Sequence, residues 1–337
     1  MLTALGVFVF LGIPAALAAG VLYCVAQEYR RDRIPILLYH RLISKAAADR
    51  GEIPDREMIW VSYDTVFAEQ MAYLRRAGYT TLDLDDYVAI RAGRMPLPDR
   101  PVIITFDDGY RSNYTLAFPV MKAHAQKAVI FVALEPDEYT RRGVEGVDGF
   151  LTAGQMREMA DHGVSIQSHT LTHCVLADLD DERALFELTE SRRRITEITG
   201  RPVDHLAIPR AGYSRRIRKL VEKAGYRTVC GNRKGTANRS SDRLALPRIV
   251  IERDMTVEDF ARALTPRSAV MLRIIGNLKR IPELLGGSGF ASRVRRVLYA
   301  GPLRPLFETR NLKRLIAAVA LLYTAGAALF LWRWIAG

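Results

Sequence analysis

Short apolar runs rich in Val and Ile alternate with amphipathic stretches through the middle of the chain. Runs at 34–40, Thr80–Leu82, Pro101–Phe106, 128–132, 164–167, 205–208, 227–230 and 248–251 have the length and β-branched content of strands. The run Pro101–Phe106 shows no polar alternation, which is the pattern of a strand covered on both faces. Between these runs the period changes. Phe67, Met71 and Leu74 make one helical stripe that stops before Gly78, and 180–200 reads as a longer helix with a charged outer face ending at Gly200. Strands separated by helices predict an α/β fold with a parallel sheet.

The ends of the chain follow a different pattern. Residues 1–27 hold no Asp, Glu, Lys or Arg, and 2–26 is long enough to cross a hydrocarbon core of ~30 Å as a helix, so an N-terminal anchor is expected. Ala16-Leu17-Ala18 resembles a cleavage site, but the basic flank of a secretory signal is missing. A second spanning helix is expected at 315–335, preceded by Arg310, Lys313 and Arg314 and closed by Trp332, Arg333 and Trp334. Between the central region and this second span lies 265–314, in which Met271, Leu272, Ile274, Ile275 and Leu278 interleave with Arg273, Lys279 and Arg280, a composition suited to anionic headgroups. Much of the net charge of +12 comes from this stretch, and no nucleic-acid motif accompanies it. The basicity is therefore read as contact with a lipid bilayer rather than with nucleic acid. Arg30, Arg31 and Arg33 follow the first anchor, so charge bias places the central region on the cytoplasmic side of a bacterial inner membrane, with the extracytoplasmic side as the alternative. Cys24, Cys174 and Cys230 are too far apart for a zinc knuckle or a redox pair.

Two motifs carry candidate chemistry. Thr105-Phe106-Asp107-Asp108-Gly109 ends one buried run, and Ser168-His169-Thr170-Leu171-Thr172-His173 ends another. Alone, Asp-Asp-Gly is usually a turn and a His pair is usually surface. Together, each after a buried strand, they offer two imidazoles and a carboxylate, a common hydrolytic zinc set, and leave one aspartate for another task. His40, Asp107, His169 and Pro209 all directly follow predicted strands, and a (β/α) barrel builds its site at that face. Amide hydrolysis needs an activated water, a polarised carbonyl and a proton for the departing amine. In that scheme Asp107 takes the water's proton, His40 protonates the leaving nitrogen, and Arg248 keeps Asp107 ionised by charge pairing.

The two motifs resemble the first two of the polysaccharide deacetylases with NodB homology, carbohydrate esterase family 4, and the resemblance extends over about 34–264. Ile34-Pro35-Ile36-Leu37-Leu38-Tyr39-His40 and Leu246-Pro247-Arg248-Ile249 are similar to the opening strand and late arginine motif of the branch acting on poly-N-acetylglucosamine. The resemblance implies a distorted (β/α)7-type barrel, here flanked by N- and C-terminal transmembrane helices. It implies Asp107 as general base, His40 as general acid, and Asp108, His169 and His173 as ligands of a divalent transition metal, Zn2+ first. The third family motif is altered. Where relatives carry Arg-Pro-Pro-Tyr-Gly or Tyr-Pro-Tyr-Gly, this chain has Ala207-Ile208-Pro209-Arg210-Ala211-Gly212-Tyr213. The backbone N–H of Arg210 still suits an oxyanion, because that role needs no particular side chain. The expected function is a membrane-anchored, metal-dependent deacetylase of an amino-sugar glycan or glycolipid, with a polyprenyl-phosphate sugar favoured over an exported or surface polysaccharide. A catalytically inactive glycan-binding protein is the reading that the altered third motif keeps open. The expected organisation is an anchor at 1–27, a barrel at 34–264, a membrane-interface segment at 265–314 and a second span at 315–335.

Overall fold

The computed structural model describes residues 12–51, 61–142, 148–253 and 255–277. It separates into two units, Glu28–Arg273 on the one hand and Met1–Gln27 with Ile274–Gly337 on the other. The first unit carries the barrel. Its strands are β1 (Ile36–Tyr39), β2 (Arg41–Ile43), β3 (Val61–Tyr63), β4 (Thr80–Leu82), β5 (Pro101–Phe106), β6 (Val129–Val132), β7 (Ser165–Ser168), β8 (His205–Ala207), β9 (Thr228–Lys234) and β10 (Leu246–Val250). All eight expected runs are strands, two of them with the expected ends and the rest with ends moved by up to four residues. β2 and β3, which form a separate two-stranded parallel pair, are too short to show a period in the sequence.

The main sheet runs β1-β10-β9-β8-β7-β6-β5, and β1 also pairs β5, which closes a ring of seven parallel strands. The eighth strand, β4, lies outside the ring. It pairs Pro101 to Ile103 on β5, while β6 takes Thr105 and Phe106 further along, so β4 and β6 share one edge of β5 end to end. The chain then turns beneath the ring. Asp83 caps the helix Leu84–Arg91 by a reciprocal pair of hydrogen bonds with Asp86. Leu84, Tyr87 and Ile90 of that helix pack against Ile36, Ile103, Val129, Phe131, Ala207 and Leu246. This helix closes the end of the barrel at which the strands begin.

Strand parity then aims the functional side chains. Val102, Ile104 and Phe106 belong to the outer core under the helices, with Phe67, Met71 and Leu74 of the helix Asp64–Arg76. Ile103 belongs to the inner core, so Thr105 and Asp107 continue its inward column. The same alternation separates Ile249, outside, from Leu246 and Arg248, inside. Helix Asp181–Thr199 packs on β7, held at its start by Asp180 and ended by Gly200 at φ 66°.

Among the described residues no helix is long and apolar enough to cross a membrane. The helix Ile13–Glu28 has 16 residues and exposes Leu17, Val21, Leu22 and Tyr23. The expected span at 315–335, residues 1–11 of the expected anchor and most of the interface segment lie outside the described residues. Of the three arginines after the anchor, Arg30 pairs with Asp32 and Arg33 donates to the carbonyl of Leu264. Glu28 is fully buried, accepting from the backbone and hydroxyl of Thr236 and from Arg273. All three cysteines are free thiols.

Candidate active site

The strand ends open into a cleft of about 610 Å³ lined by His40, Asp107, Asp108, Tyr110, Tyr139, Thr140, His169, His173, Pro209, Arg210, Arg233, Lys234 and Arg248, among others. Every residue proposed from the sequence therefore lines one cavity. Asp107 and Asp108 separate as expected of neighbours at a strand end. Asp107 keeps to the inward column, whereas Asp108 takes φ 72° and faces the histidines. Gly109, also left-handed, lies so close to Val132 that an added Cβ would sit 2.7 Å from its side chain. Only glycine fits there. Thr170, His173 and Arg210 also have positive φ, so four of the six such non-glycine residues described are in this site. Backbone strain of that kind concentrates where function fixes geometry.

Asp108 Oδ1 lies 3.3 Å from His169 Nε2 and 3.1 Å from His173 Nε2, and all three donor atoms lie within 4.8 Å of one another. The far side of each ring sets its tautomer. His169 Nδ1 is 2.8 Å from the carbonyl oxygen of Ala207, which can only accept, so the proton is on Nδ1 and the Nε2 lone pair faces Asp108. His173 Nδ1 is 2.9 Å from Thr140 Oγ1. Burial raises the pKa of Asp108, but the two histidines outweigh it and leave the carboxyl well below its usual value. Burial likewise lowers His169, and Asp107 with Asp108 outweighs it to raise that imidazole. The pocket attracts positive charge, and its donor set, two nitrogens and a carboxylate oxygen with oriented outer partners, fits a divalent transition metal.

Asp107 is gripped by Arg248, with Nη1 to Oδ1 at 2.7 Å and Nη2 to Oδ2 at 2.8 Å, both side chains buried. Burial raises the Asp107 pKa, and Arg248 together with His169 and His40 more than offsets it, so the carboxyl stays below its ordinary value. Thr105, which donates to the carbonyl of Leu37, lies 3.4 Å from Arg248 Nη1. His40 follows β1, and its carbonyl accepts from Asn113. Its imidazole is pulled below the usual histidine value by burial, which Asp108 and Asp107 oppose.

Pro209 and Arg210 occupy a short turn after β8, with Arg210 at φ 50°. The side chain of Arg210 bonds Asp137 at 2.8 Å and Thr140 at 3.0 Å. Asp137, Tyr139, Thr140 and Glu187 are site components that the sequence reading missed. Glu187, on the helix that packs over β7, accepts from the backbone N–H groups of Leu171 and Thr172 and from the Thr172 hydroxyl, and so holds the loop between the histidines. The pattern Asp137-x-x-Thr140 is legible as a helix cap, but not as a neighbour of His173.

Residues 94–229, which include both motifs, match the polysaccharide deacetylase family. The matched stretch carries Asp107, Asp108, His169 and His173, and through it the chain is similar to that family. It is 29% identical over 228 residues to "Putative polysaccharide deacetylase YxkH" of Bacillus subtilis (strain 168), covering 68% of this chain and 75% of that one. A poly-beta-1,6-N-acetyl-D-glucosamine N-deacetylase of Escherichia coli (strain K12) is 38% identical over 110 residues, which are 30% of this chain and only 16% of the relative. Among solved structures, a polysaccharide deacetylase from Bacillus cereus matches with TM-score 0.58 and 25% identity over 69% of each chain. The Streptococcus pyogenes deacetylase PplD shares the fold, with TM-score 0.61 and 22% identity over 69% of this chain and 99% of the other.

Proposed function

We propose that this chain is a hydrolase of the carbon–nitrogen amide bond that removes an N-acyl group from an amino sugar in a metal-dependent reaction. The observation that carries the reading is the pairing of two separate devices in one cleft, the lone pairs of Asp108, His169 and His173 converging beside an Asp107 that Arg248 keeps ionised. A divalent transition metal on the first set would supply Lewis acidity toward a carbonyl oxygen and a water. Asp107 takes the proton of the attacking water as its oxygen bonds the acyl carbon. The backbone N–H of Arg210, in the turn that lines the cleft, serves the developing oxyanion. As the C–N bond breaks, His40 delivers a proton to the amine nitrogen, and a carboxylate and a free amino sugar leave. Burial favours neutral His40 at rest, so it must gain a proton before it can donate one.

For the substrate, the proposal is an amino sugar on a polyprenyl-phosphate carrier, with an exported N-acetylated polysaccharide as the second reading. Lys234 and Arg233 on the cleft favour a phosphate-bearing substrate; Lys234 has no ion pair among the described residues. The polymer reading rests on the relative named for poly-N-acetylglucosamine. Membrane attachment through both ends rests on the uncharged 1–27 and 315–332 and on the exposed Leu17, Val21 and Leu22. The intact Asp107–Arg248 pair speaks for turnover rather than glycan binding alone. Acyl release from N-acetylglucosamine oligomers and from a polyprenyl-phosphate N-acetyl sugar, each with and without a chelator, tests the proposal. Release that a chelator stops and zinc restores supports it, and the better substrate selects between the readings. No release from either, or release indifferent to chelation, overturns it.

A further inference from the structure

Proton counting around Thr140 assigns a job to the residue at which the third family motif departs. Thr140 Oγ1 has one proton and two lone pairs. Its short contact, 2.6 Å, is to Asp137 Oδ1. Burial raises the Asp137 pKa, but the hydroxyl and backbone of Thr140 and the charge of Arg210 outweigh it, so the carboxylate has no proton to give. The hydroxyl proton therefore goes to Asp137. Arg210 Nη2, 3.0 Å away, has only hydrogens to offer and takes one lone pair. One lone pair is left, and it faces His173 Nδ1 at 2.9 Å. That nitrogen must then carry the imidazole proton, which leaves the Nε2 lone pair for the Asp108 side of the ring.

We propose that Arg210 is a positioning residue which, through Asp137 and Thr140, fixes the tautomer and orientation of His173 and so sets how tightly the three-residue set holds its cation. The inference rests on the metal reading above. Arg210 closes the chain from outside: Nη2 bridges Asp137 and Thr140, and the guanidinium stands over the ring of Tyr139 at 5.2 Å. Asp137 is anchored from the other side, since its carboxylate also accepts from the backbone of Thr140 and its N–H donates to the carbonyl of Thr172. Rigid outer partners of this kind raise ligand basicity, and their loss typically costs 10–100-fold in metal affinity. The arrangement also separates two tasks within one residue, because the oxyanion role proposed above uses the backbone of Arg210 while its side chain serves the histidine. A Pro or Tyr at that position could not make the bridge.

The test is the dissociation constant of Zn2+ for the purified full chain, measured by competition with a chromophoric chelator. Thr140→Val, which keeps the shape and removes the hydroxyl, should weaken zinc by about 10–100-fold, with Asp137→Asn and Arg210→Met weakening it in the same direction. Thr140→Ser should restore affinity to within about threefold, which separates a lost hydrogen bond from a damaged fold. Weak zinc in Thr140→Val that Thr140→Ser fails to rescue overturns the inference, as does wild-type affinity in Thr140→Val. Wild-type affinity in Arg210→Met alone removes Arg210 from the chain of contacts. A wild-type protein with no measurable zinc affinity defeats the metal reading instead.

Discussion

Arg248 holds Asp107 by both terminal nitrogens, at 2.7 and 2.8 Å, from a strand that reaches the site from the opposite end of the sequence. The pair gives the base its charge state. Burial alone would favour the neutral acid, and the guanidinium, helped by His169 and His40, reverses that. Replacing Arg248 by Met should therefore raise the Asp107 pKa, and the acid limb of the activity profile should move to higher pH. With Arg248 present, activity due to this group is lost only as pH falls below the ordinary carboxylate range. A pH profile of kcat/KM for Arg248→Met checks this; an unmoved acid limb would assign that limb to another group.

Asp107→Asn should bind zinc as the wild type does yet turn over about 10²–10⁴-fold more slowly, because the base and the ligand are different members of an adjacent pair. Metal content and kcat measured on the same sample decide it. Loss of metal from Asp107→Asn would show that the two carboxylates do not divide their work as their directions indicate.

Glu187 is buried and accepts three hydrogen bonds from the loop between the two histidines. Glu187→Ala strands two backbone donors, so a loss of about 2–3 kcal/mol in stability is expected, along with weaker zinc binding. Denaturant unfolding of metal-free protein and zinc titration read the two effects. An unchanged unfolding midpoint would mean that the loop is held elsewhere.

Charge bias around the two apolar ends predicts a cytoplasmic barrel. A cysteine at the exposed Glu182 should then resist a membrane-impermeant thiol reagent in intact cells and react after permeabilisation, compared with the unsubstituted chain. Labelling in intact cells would reverse the topology and favour the polysaccharide as substrate.

The barrel was legible in the alternation of strand and helix runs and the reacting groups in two motifs that directly follow buried runs, and strand parity explains why those positions meet. Asp107 belongs to the Ile103–Thr105 column and Arg248 to the Leu246 column, so a correct strand assignment already aims both inward. The ring closure between β1 and β5 left no such trace, and neither did the helix Leu84–Arg91 beneath it, because pairing partners far apart in sequence are not encoded in local periodicity. Asp137 and Thr140 were invisible for a related reason. They act on His173 from a segment 33 residues away, across a hydrogen bond that only the folded loop creates.

Glu28 and Arg273, the two places where the chain leaves the barrel unit, both bond Thr236, in the turn beside Ile34 and the closing helix. Both exits of the chain from the barrel unit are thus fastened to one turn and to each other, since Arg273 also bonds Glu28. Loss of the single Glu28 carboxylate would loosen both at once while leaving Asp107 and the histidines with every partner they have.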